Sequence, residues 1–302
     1  MSDAKKVEEL RLQKIIEEIF PNSEVKLEGD GWSSIAFSLS RGDEPPQIIR
    51  VPRSGDTAQY EREAKLLDFL KGKISVPIPH TKVCKTEKIK YAIHVMICGL
   101  KWDCNTYNAL SSVAKDAFCD DIASFFTEIH KVDLKKLDAA LPLKTLEQGD
   151  IIRETLEKKF IEYFSRDEIT EIYTVVRRVL NEATDPVLLH RDFFYGNTLV
   201  DDKHRLIGVF DFGSSCIGSR AYEFISLHWP GYIEILNGVL KRYNERSGAG
   251  ITLEQILDQS KLGDVYNVLF LLNNEKLKIE KRDELNDNLN RIRSWLTDGK
   301  SK

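Results

Sequence analysis

An acidic residue, an amide and a second acidic residue follow one another at short spacing in the second half of this 302-residue sequence. Asp192 lies in HRDFFYGN, five positions before Asn197, and Asp211 lies in GVFDFG, nineteen positions after Asp192. Carboxylate and amide oxygens suit Mg²⁺, which takes one or two protein oxygens together with phosphate oxygens and water. The remaining carboxylate, Asp192, is of the type that accepts a proton from a substrate hydroxyl. These side chains therefore predict a phosphoryl-transfer site.

Short apolar runs flank this polar cluster and predict the elements that position it. NTLV and RLIGVF predict two short strands, and DDKH between them predicts a turn. Such a hairpin returns the chain, so Asn197 and Asp211 are expected to lie near each other at the same end. Leu188 and Leu189 predict a further strand that holds the loop rigidly. We expect the intervening His190 and Arg191 to serve the architecture of the loop.

The N-terminal third predicts a small sheet with one central helix. After a first helix that ends at FPNS, strand-like runs recur in SEVKLEG, SSIAFSLS, QIIRVP and HTKVCKTEKIKYAIHVMI. TAQYEREAKLLDFLKG predicts the helix, with Thr57 as its candidate N-cap and Gly72 as its candidate stop.

The remainder of the chain is mostly helical in pattern. Helical spacing extends over about 108–131, 151–164, 167–182, 220–246 and 252–297, the last with breaks. The sequence therefore predicts an α+β protein of two lobes separated by a cleft. Residues 1–98 form the small β-rich lobe, residues 99–302 form the larger helical lobe, and the hinge lies near 96–101.

Two motifs in this order resemble a known fold. HRD-x-x-x-x-N followed by DFG resembles the catalytic loop and metal-binding motif of the protein-kinase-like fold. Within that fold, residues 25–230 are similar to the aminoglycoside phosphotransferases, with their VP-x-P bend, H-G-D-x-x-x-x-N loop and G-D-P-x-x-D block. Arg191 stands where that family commonly has Gly, and Ser219 and Glu223 stand where it usually has Asp. No APE segment follows Asp211, which disfavours a protein kinase.

The resemblance implies a cation that grips nucleotide phosphates and is set by a helix carboxylate. Arg50 in QIIRVP occupies the place of the cation, and Glu63 in YEREAKLLDFL that of the carboxylate, with Glu61 as its competitor. Arg50 stands where Lys is commoner in kinase-like enzymes. It keeps the positive charge but binds phosphate with a different geometry.

The resemblance also implies a phosphate-covering loop and a nucleobase hinge. EGDGWSSIAF fits the loop, because its glycines permit a tight turn and Ser33 and Ser34 offer hydroxyl and N–H groups. Taken alone, this loop is an ordinary glycine turn. MICGL is expected to meet the base through the backbone of Ile97 and Gly99, which does not distinguish ATP from GTP.

Composition disfavours several classes of protein. The chain is 42% hydrophobic and 30% charged, with a net charge of −4, which argues against a nucleic-acid binder. Its five cysteines contain no CxxC pair, so neither a disulfide framework nor a zinc site is predicted. MSDAKKVEEL has no signal core, and no apolar run approaches a membrane span. We expect a reduced, cytoplasmic, monomeric protein without a membrane partner.

The predicted function is transfer of the γ-phosphate of ATP or GTP, with Mg²⁺, to a hydroxyl of an aminoglycoside-type antibiotic, conferring resistance. Such a cationic substrate needs acidic walls, for which Glu223, Glu234 and Glu275 are candidates, although helix-surface carboxylates are more often solvated. Trp102 and Trp229 are candidates to line the cleft, although a core position is more typical of each. The alternatives are a macrolide, hygromycin-type, choline or homoserine kinase, a Ser/Thr protein kinase, and a non-catalytic pseudokinase scaffold.

Overall fold

A computed structural model describes residues 3–31, 34–143, 145, 149–181, 185–229 and 231–298. Its strands are Glu24–Asp30 (β1), Ser34–Ser40 (β2), Gln47–Pro52 (β3), Lys82–Lys85 (β4), Lys90–Val95 (β5), Val187–Leu189 (β6), Thr198–Val200 (β7), Leu206–Val209 (β8) and Cys216–Gly218 (β9). Its helices are Asp3–Ile19 (α1), Ala58–Leu70 (α2), Cys104–Asn108 (α3), Ser112–His130 (α4), Leu134–Ala140 (α5), Gly149–Phe160 (α6), Arg166–Asn181 (α7), Ile233–Ser247 (α8), Leu253–Leu272 (α9), Glu275–Glu280 (α10) and Arg282–Asp298 (α11). The predicted α+β class is confirmed.

The contacts divide the chain into two compact units. The first combines Met1–Asp121, Lys135–Pro142 and Asp192–Ser214, and the second combines Ile122–Leu134, Leu143–Arg191 and Ser215–Lys302. The predicted lobes are two continuous segments that meet between residues 98 and 99, whereas each unit combines several segments. The boundary between the lobes stays a prediction. By contacts, the hairpin that begins after Asp192 groups with the N-terminal sheet.

An antiparallel sheet with the order β1-β2-β3-β5-β4 forms the centre of the first unit. Ile35, Phe37, Ile49 and Val51 alternate along β2 and β3, so they share one face and pack with α1 into a buried core. Arg50 lies between two of these apolar residues and therefore points to the opposite face of the sheet.

Helix α2 begins after Thr57, as predicted, but the Thr57 side chain does not cap it. The Thr57 hydroxyl donates instead to Glu61 Oε1 at 2.9 Å. Gly72, with φ of +73°, follows the end of the helix in the left-handed region that glycine tolerates. The predicted stop is confirmed.

The predicted hairpin between Asn197 and Asp211 is present in the first unit. β7 and β8 pair antiparallel, with Thr198 opposite Val209, and Asp201 accepts N–H bonds from the turn between them. Trp102 Nε1 donates to Thr198 Oγ1 at 2.8 Å, and the Trp102 side chain is buried. Trp102 therefore has the core position that is typical of tryptophan.

The second unit is mainly helical, with β6 paired antiparallel to β9. The helical pattern predicted over about 220–246 corresponds to two separate helical elements. Arg220–Leu227 forms a 3₁₀ helix, and α8 starts at Ile233. Gly231 lies between them with φ of +88°, a conformation that no regular helix contains. Within the described ranges, no helix is long and apolar enough to cross a membrane.

Candidate active site

A buried cation lies between two carboxylates in the first unit. Arg50 Nη1 contacts both carboxylate oxygens of Glu63, at 3.1 and 3.0 Å, and Arg50 Nη2 lies 3.0 Å from Asp211 Oδ1. Asp211 comes 161 positions after Arg50. The structure thus brings together three of the residues that the sequence singled out.

Helix periodicity explains why Glu63, and not Glu61, reaches Arg50. Tyr60, Glu63, Leu67 and Leu70 lie on the buried side of α2, and Glu63 is the acidic residue among them. Its Oε1 also accepts the Phe212 N–H at 3.0 Å, which fixes the carboxylate against the backbone after Asp211. Glu61 is exposed at the start of the helix and accepts the Thr57 hydroxyl.

The charges of this cluster stabilise one another. Burial works against the Arg50 charge, but Glu63 and Asp211 outweigh it and raise the pKa of the guanidinium above its ordinary value. Burial raises the pKa of the Glu63 carboxyl, and Arg50 and the Phe212 N–H oppose that rise. The Tyr60 ring lies 4.9 Å from the Arg50 guanidinium carbon, a distance at which the ring face attracts a cation.

His94 lies on the same sheet face as Arg50 and was not singled out from the sequence. Burial, followed by the Arg50 charge, lowers the pKa of His94 to about 4, and Asp211 opposes this change. Its Nδ1 atom is buried and has no hydrogen-bond partner among the described residues. The neutral ring is therefore the form that the folded protein stabilises.

We expect this histidine to destabilise the protein in acid. The pKa of His94 in the folded protein lies below the unfolded value of about 6.5. The contribution of neutral His94 to the free energy of unfolding is therefore complete above pH ~6.5 and is lost as the pH falls towards 4. Between these limits the free energy of unfolding should fall by about 3 kcal/mol more in the wild type than in His94→Gln. Denaturant titrations at several pH values measure this difference. Parallel profiles for His94→Gln and the wild type would contradict the prediction.

Asp192 and Asn197 are joined at the start of the hairpin. Asn197 Nδ2 donates to the Asp192 carbonyl and to Asp192 Oδ2, both at 2.9 Å. Phe210 N–H donates to the Asn197 carbonyl at 3.0 Å, so the chain returns beside Asn197 immediately before Asp211. Asp211 has φ of +65°, a left-handed conformation that is uncommon for residues other than glycine. The hairpin thus sets the relative positions of all three side chains.

Asn197 and Asp211 fit the predicted magnesium site by the chemistry of their free oxygens. The Asn197 Nδ2 atom donates to Asp192. The Oδ1 atom of Asn197 therefore points away from the Asp192 carboxylate. Asp211 is partly exposed and bonds Arg50 through Oδ1, which leaves Oδ2 for a cation. No cluster of three or more His, Cys, Asp or Glu side chains suited to a metal occurs in the described part of the chain. Two protein oxygens are what Mg²⁺ needs when phosphates supply the others.

The structure describes some, but not all, of the residues predicted to contact the nucleotide. Ser33 lies outside the described residues, whereas Ser34 begins β2 opposite Pro52. A Cβ atom at Gly99 would lie 2.9 Å from Leu199 Cβ, so packing against the hairpin requires glycine there. Similarly, a Cβ atom at Gly208 would lie 2.8 Å from Ile97 Cγ2. The predicted base-binding segment therefore rests directly on β7 and β8.

Glu223 has a structural position that the sequence did not predict. As a candidate wall for a cationic substrate it is wrong, because its side chain is buried in the second unit. Its Oε2 accepts the His190 N–H at 2.7 Å, and its Oε1 accepts the Arg191 N–H at 3.0 Å. Arg191 has φ of +71°, a left-handed conformation that glycine adopts most readily. His190 and Arg191 thus serve loop architecture, as predicted.

Replacing Glu223 by glutamine should destabilise the protein, because the neutral amide keeps one acceptor oxygen for two backbone N–H donors. We expect a loss of about 3 kcal/mol in the free energy of unfolding, measured by denaturant titration. Glu234→Gln is the matched control, since Glu234 is exposed on α8. Equal stabilities of the two variants would contradict an anchoring role for Glu223.

The other candidate substrate contacts lie at the surface of the second unit. Glu234 and Glu275 are exposed in the first turns of α8 and α10, and Trp229 is 55% exposed. Asp264, a further carboxylate of α9, accepts a hydrogen bond from Arg291 Nε at 2.7 Å. These positions leave Glu234, Glu275 and Trp229 accessible to a ligand.

Comparison with known proteins identifies the family. Residues 24–257 match the sequence profile described as the phosphotransferase enzyme family. The chain belongs to the phosphotransferase enzyme family. The match extends from β1 into α9 and therefore includes Arg50, Glu63, Asp192, Asn197 and Asp211.

Solved structures of similar fold accompany this match. The ADP-bound aminoglycoside phosphotransferase APH(2'')-Ib is 22% identical with a TM-score of 0.69, over 93% of this chain and 96% of its own. The GDP and kanamycin complex of APH(2'')-IIIa is 18% identical with a TM-score of 0.71, over 97% and 99%. A macrolide 2'-phosphotransferase from Brachybacterium faecium is 15% identical with a TM-score of 0.65, over 93% and 98%. This phosphotransferase thus has the predicted kinase-like fold.

Proposed function

We propose that this phosphotransferase moves the γ-phosphoryl group of ATP or GTP to a hydroxyl of an aminoglycoside-type antibiotic and thereby confers resistance. The observation that carries the proposal is the cluster in which Arg50 bridges Glu63 and Asp211 beside the Asp192–Asn197 pair. A non-catalytic scaffold has no use for the complete set of cation, metal ligands and base. Relatives with bound ADP and GDP support a nucleotide as donor.

In this proposal Arg50 holds the nucleotide phosphates. It is positively charged and is preoriented by two carboxylates, so little conformational entropy remains to be lost on binding. Ser33 and Ser34 would cover the phosphates, and the backbone of Ile97 and Gly99 would contact the base. None of these contacts distinguishes ATP from GTP.

Asn197 and Asp211 would hold Mg²⁺. When bound, the ion neutralises charge on the phosphate oxygens. The chain's own contribution is to keep the two ligand oxygens at the ends of one hairpin. Arg50 restrains Asp211 and Asp192 restrains Asn197, so both ligands are positioned before any substrate arrives.

Asp192 would orient the substrate hydroxyl and accept its proton. The hydroxyl oxygen forms a bond to the γ-phosphorus as the bond from that phosphorus to the β–γ bridging oxygen breaks, and the nucleoside diphosphate leaves. Most of the rate gain comes from positioning and charge stabilisation, because this transition state needs little covalent help from the protein. Rigid placement of Asp192 is thus the main requirement on the fold.

A macrolide is the second candidate substrate, because a macrolide 2'-phosphotransferase is among the structures of similar fold. Aminoglycosides are favoured by the structures of gentamicin and kanamycin complexes that share the fold. A polycationic aminoglycoside needs accessible carboxylates, for which the exposed Glu234 and Glu275 remain candidates. A macrolide needs apolar surface, for which Trp229 is a candidate.

The decisive test is a substrate panel with purified protein. Aminoglycosides, macrolides, choline, homoserine and generic peptides are each incubated with Mg²⁺ and either ATP or GTP, and the products are followed by ³¹P NMR. We expect an aminoglycoside phosphate ester, loss of turnover with a chelator, and recovery with Mg²⁺. Turnover of another substrate class without any aminoglycoside phosphate would overturn the substrate assignment, and nucleotide binding without turnover would favour a scaffold.

Resistance is tested in cells. Expression in a susceptible bacterium should raise the inhibitory concentration of the aminoglycoside that is phosphorylated in vitro, and Asp192→Asn should abolish the rise. An equal rise with both proteins would show that phosphoryl transfer is not its cause.

A further inference from the structure

A cleft opens between α1 and the hairpin of β4 and β5, away from the proposed nucleotide site. Its volume is about 350 Å³, and its floor includes the buried residues Leu12, Ile35, Val51 and Ile89. Val51 follows Arg50 on β3, and successive side chains of a strand point to opposite faces. The cleft and Arg50 are therefore on opposite sides of the same sheet.

The rim of the cleft is mainly cationic. Arg11 comes from α1, Arg53 follows β3, and Lys85, Lys88 and Lys90 come from the hairpin of β4 and β5. The carboxylates among the lining residues are Glu8 and Glu87. An excess of positive charge over an apolar floor is complementary to an anion that carries an apolar portion.

Part of this charge is already compensated and part is not. Arg53 lies 3.8 Å from Glu8 and donates to the Gly31 carbonyl at 3.1 Å, and Lys88 is paired with Glu18. For Arg11, Lys85 and Lys90, the described part of the chain shows no ion pair. These three side chains come from both walls, so they can converge on one ligand.

The size of the cleft favours a small molecule over a macromolecule. Ligand sites for small molecules have volumes of roughly 300–1,000 Å³, a range that includes this cleft. We propose that this cleft binds a small organic anion, with its aromatic or aliphatic portion on the floor and its anionic group between Arg11, Lys85 and Lys90. The site is independent of the phosphoryl-transfer chemistry.

A fluorescence titration with 8-anilinonaphthalene-1-sulfonate, an aromatic anion, tests the proposal. We expect saturable binding at one site that becomes about ten-fold weaker in Lys85→Glu/Lys90→Glu. Lys85→Ala/Lys90→Ala should give an intermediate loss. The matched control is Lys71→Glu/Lys82→Glu, at exposed lysines of the same unit that do not line the cleft, and it should bind as the wild type does.

One further measurement makes the result specific. N-phenyl-1-naphthylamine, a neutral analogue of the probe, should bind much more weakly. Unchanged probe affinity in both cleft variants, or equal affinity for the neutral analogue, would overturn the proposal. Thermal unfolding of each variant verifies its fold, and none of these outcomes depends on the proposed phosphotransferase activity.

Discussion

Asp192→Asn should reduce phosphoryl transfer by about 10³-fold, within the range found when a general base is removed. Asparagine keeps an acceptor oxygen for the Asn197 amide, which bonds both the carbonyl and the Oδ2 of Asp192 in the wild type. The loop is therefore preserved while the proton acceptor is lost. The rate of product formation, followed with the substrate identified by the panel, measures the effect.

The matched control for this variant is Asp202→Asn, since Asp202 is an exposed aspartate in the turn between β7 and β8. It should keep wild-type turnover. The nucleotide affinity and thermal unfolding of Asp192→Asn should also remain close to those of the wild type, because Asp192 is not among the residues that we assign to phosphate binding. Full transfer by Asp192→Asn would overturn its assignment as the base.

Glu63→Gln should lower the free energy of unfolding by about 3 kcal/mol, as is typical when one partner of a buried ion pair is removed. Glu63 is 2% exposed and contacts Arg50 through both carboxylate oxygens. The Arg50 guanidinium, then paired only with Asp211, competes with the proposed metal for that carboxylate. We therefore also expect transfer to fall by about 10²-fold, the effect of misplacing a reacting group.

Glu61→Gln provides the control for this second variant, because it makes the same chemical change on the same helix. Glu61 is exposed, so its loss should leave the free energy of unfolding and turnover near the wild-type values. Denaturant titration and steady-state kinetics on both variants measure the two effects. Should Glu61→Gln prove the more damaging variant, Glu63 would not be the partner of Arg50 in the active protein.

The sequence by itself determined the order and local geometry of the proposed catalytic hairpin. Short apolar runs on either side of a turn fixed the return of the chain, and this placed Asn197 and Asp211 together without any long-range information. Helical periodicity also indicates which of Glu61 and Glu63 pairs with Arg50. Glu63 shares the apolar stripe of Leu67 and Leu70, where a carboxylate needs a buried partner.

Only the tertiary structure decided which distant residues complete the site. Asp211 contacts Arg50 across 161 positions, and Glu223 bonds the backbone of His190 and Arg191 from 33 and 32 positions away. The local sequence around a glutamate does not tell whether its side chain is buried or exposed. It therefore could not distinguish a structural role for Glu223 from a role in binding a cationic substrate. His94 and the left-handed backbone of Arg191 and Asp211 are also products of the folded environment. Periodicity describes which face of an element is buried, whereas the partner of a buried charge is set by packing between elements that the chain brings together only on folding.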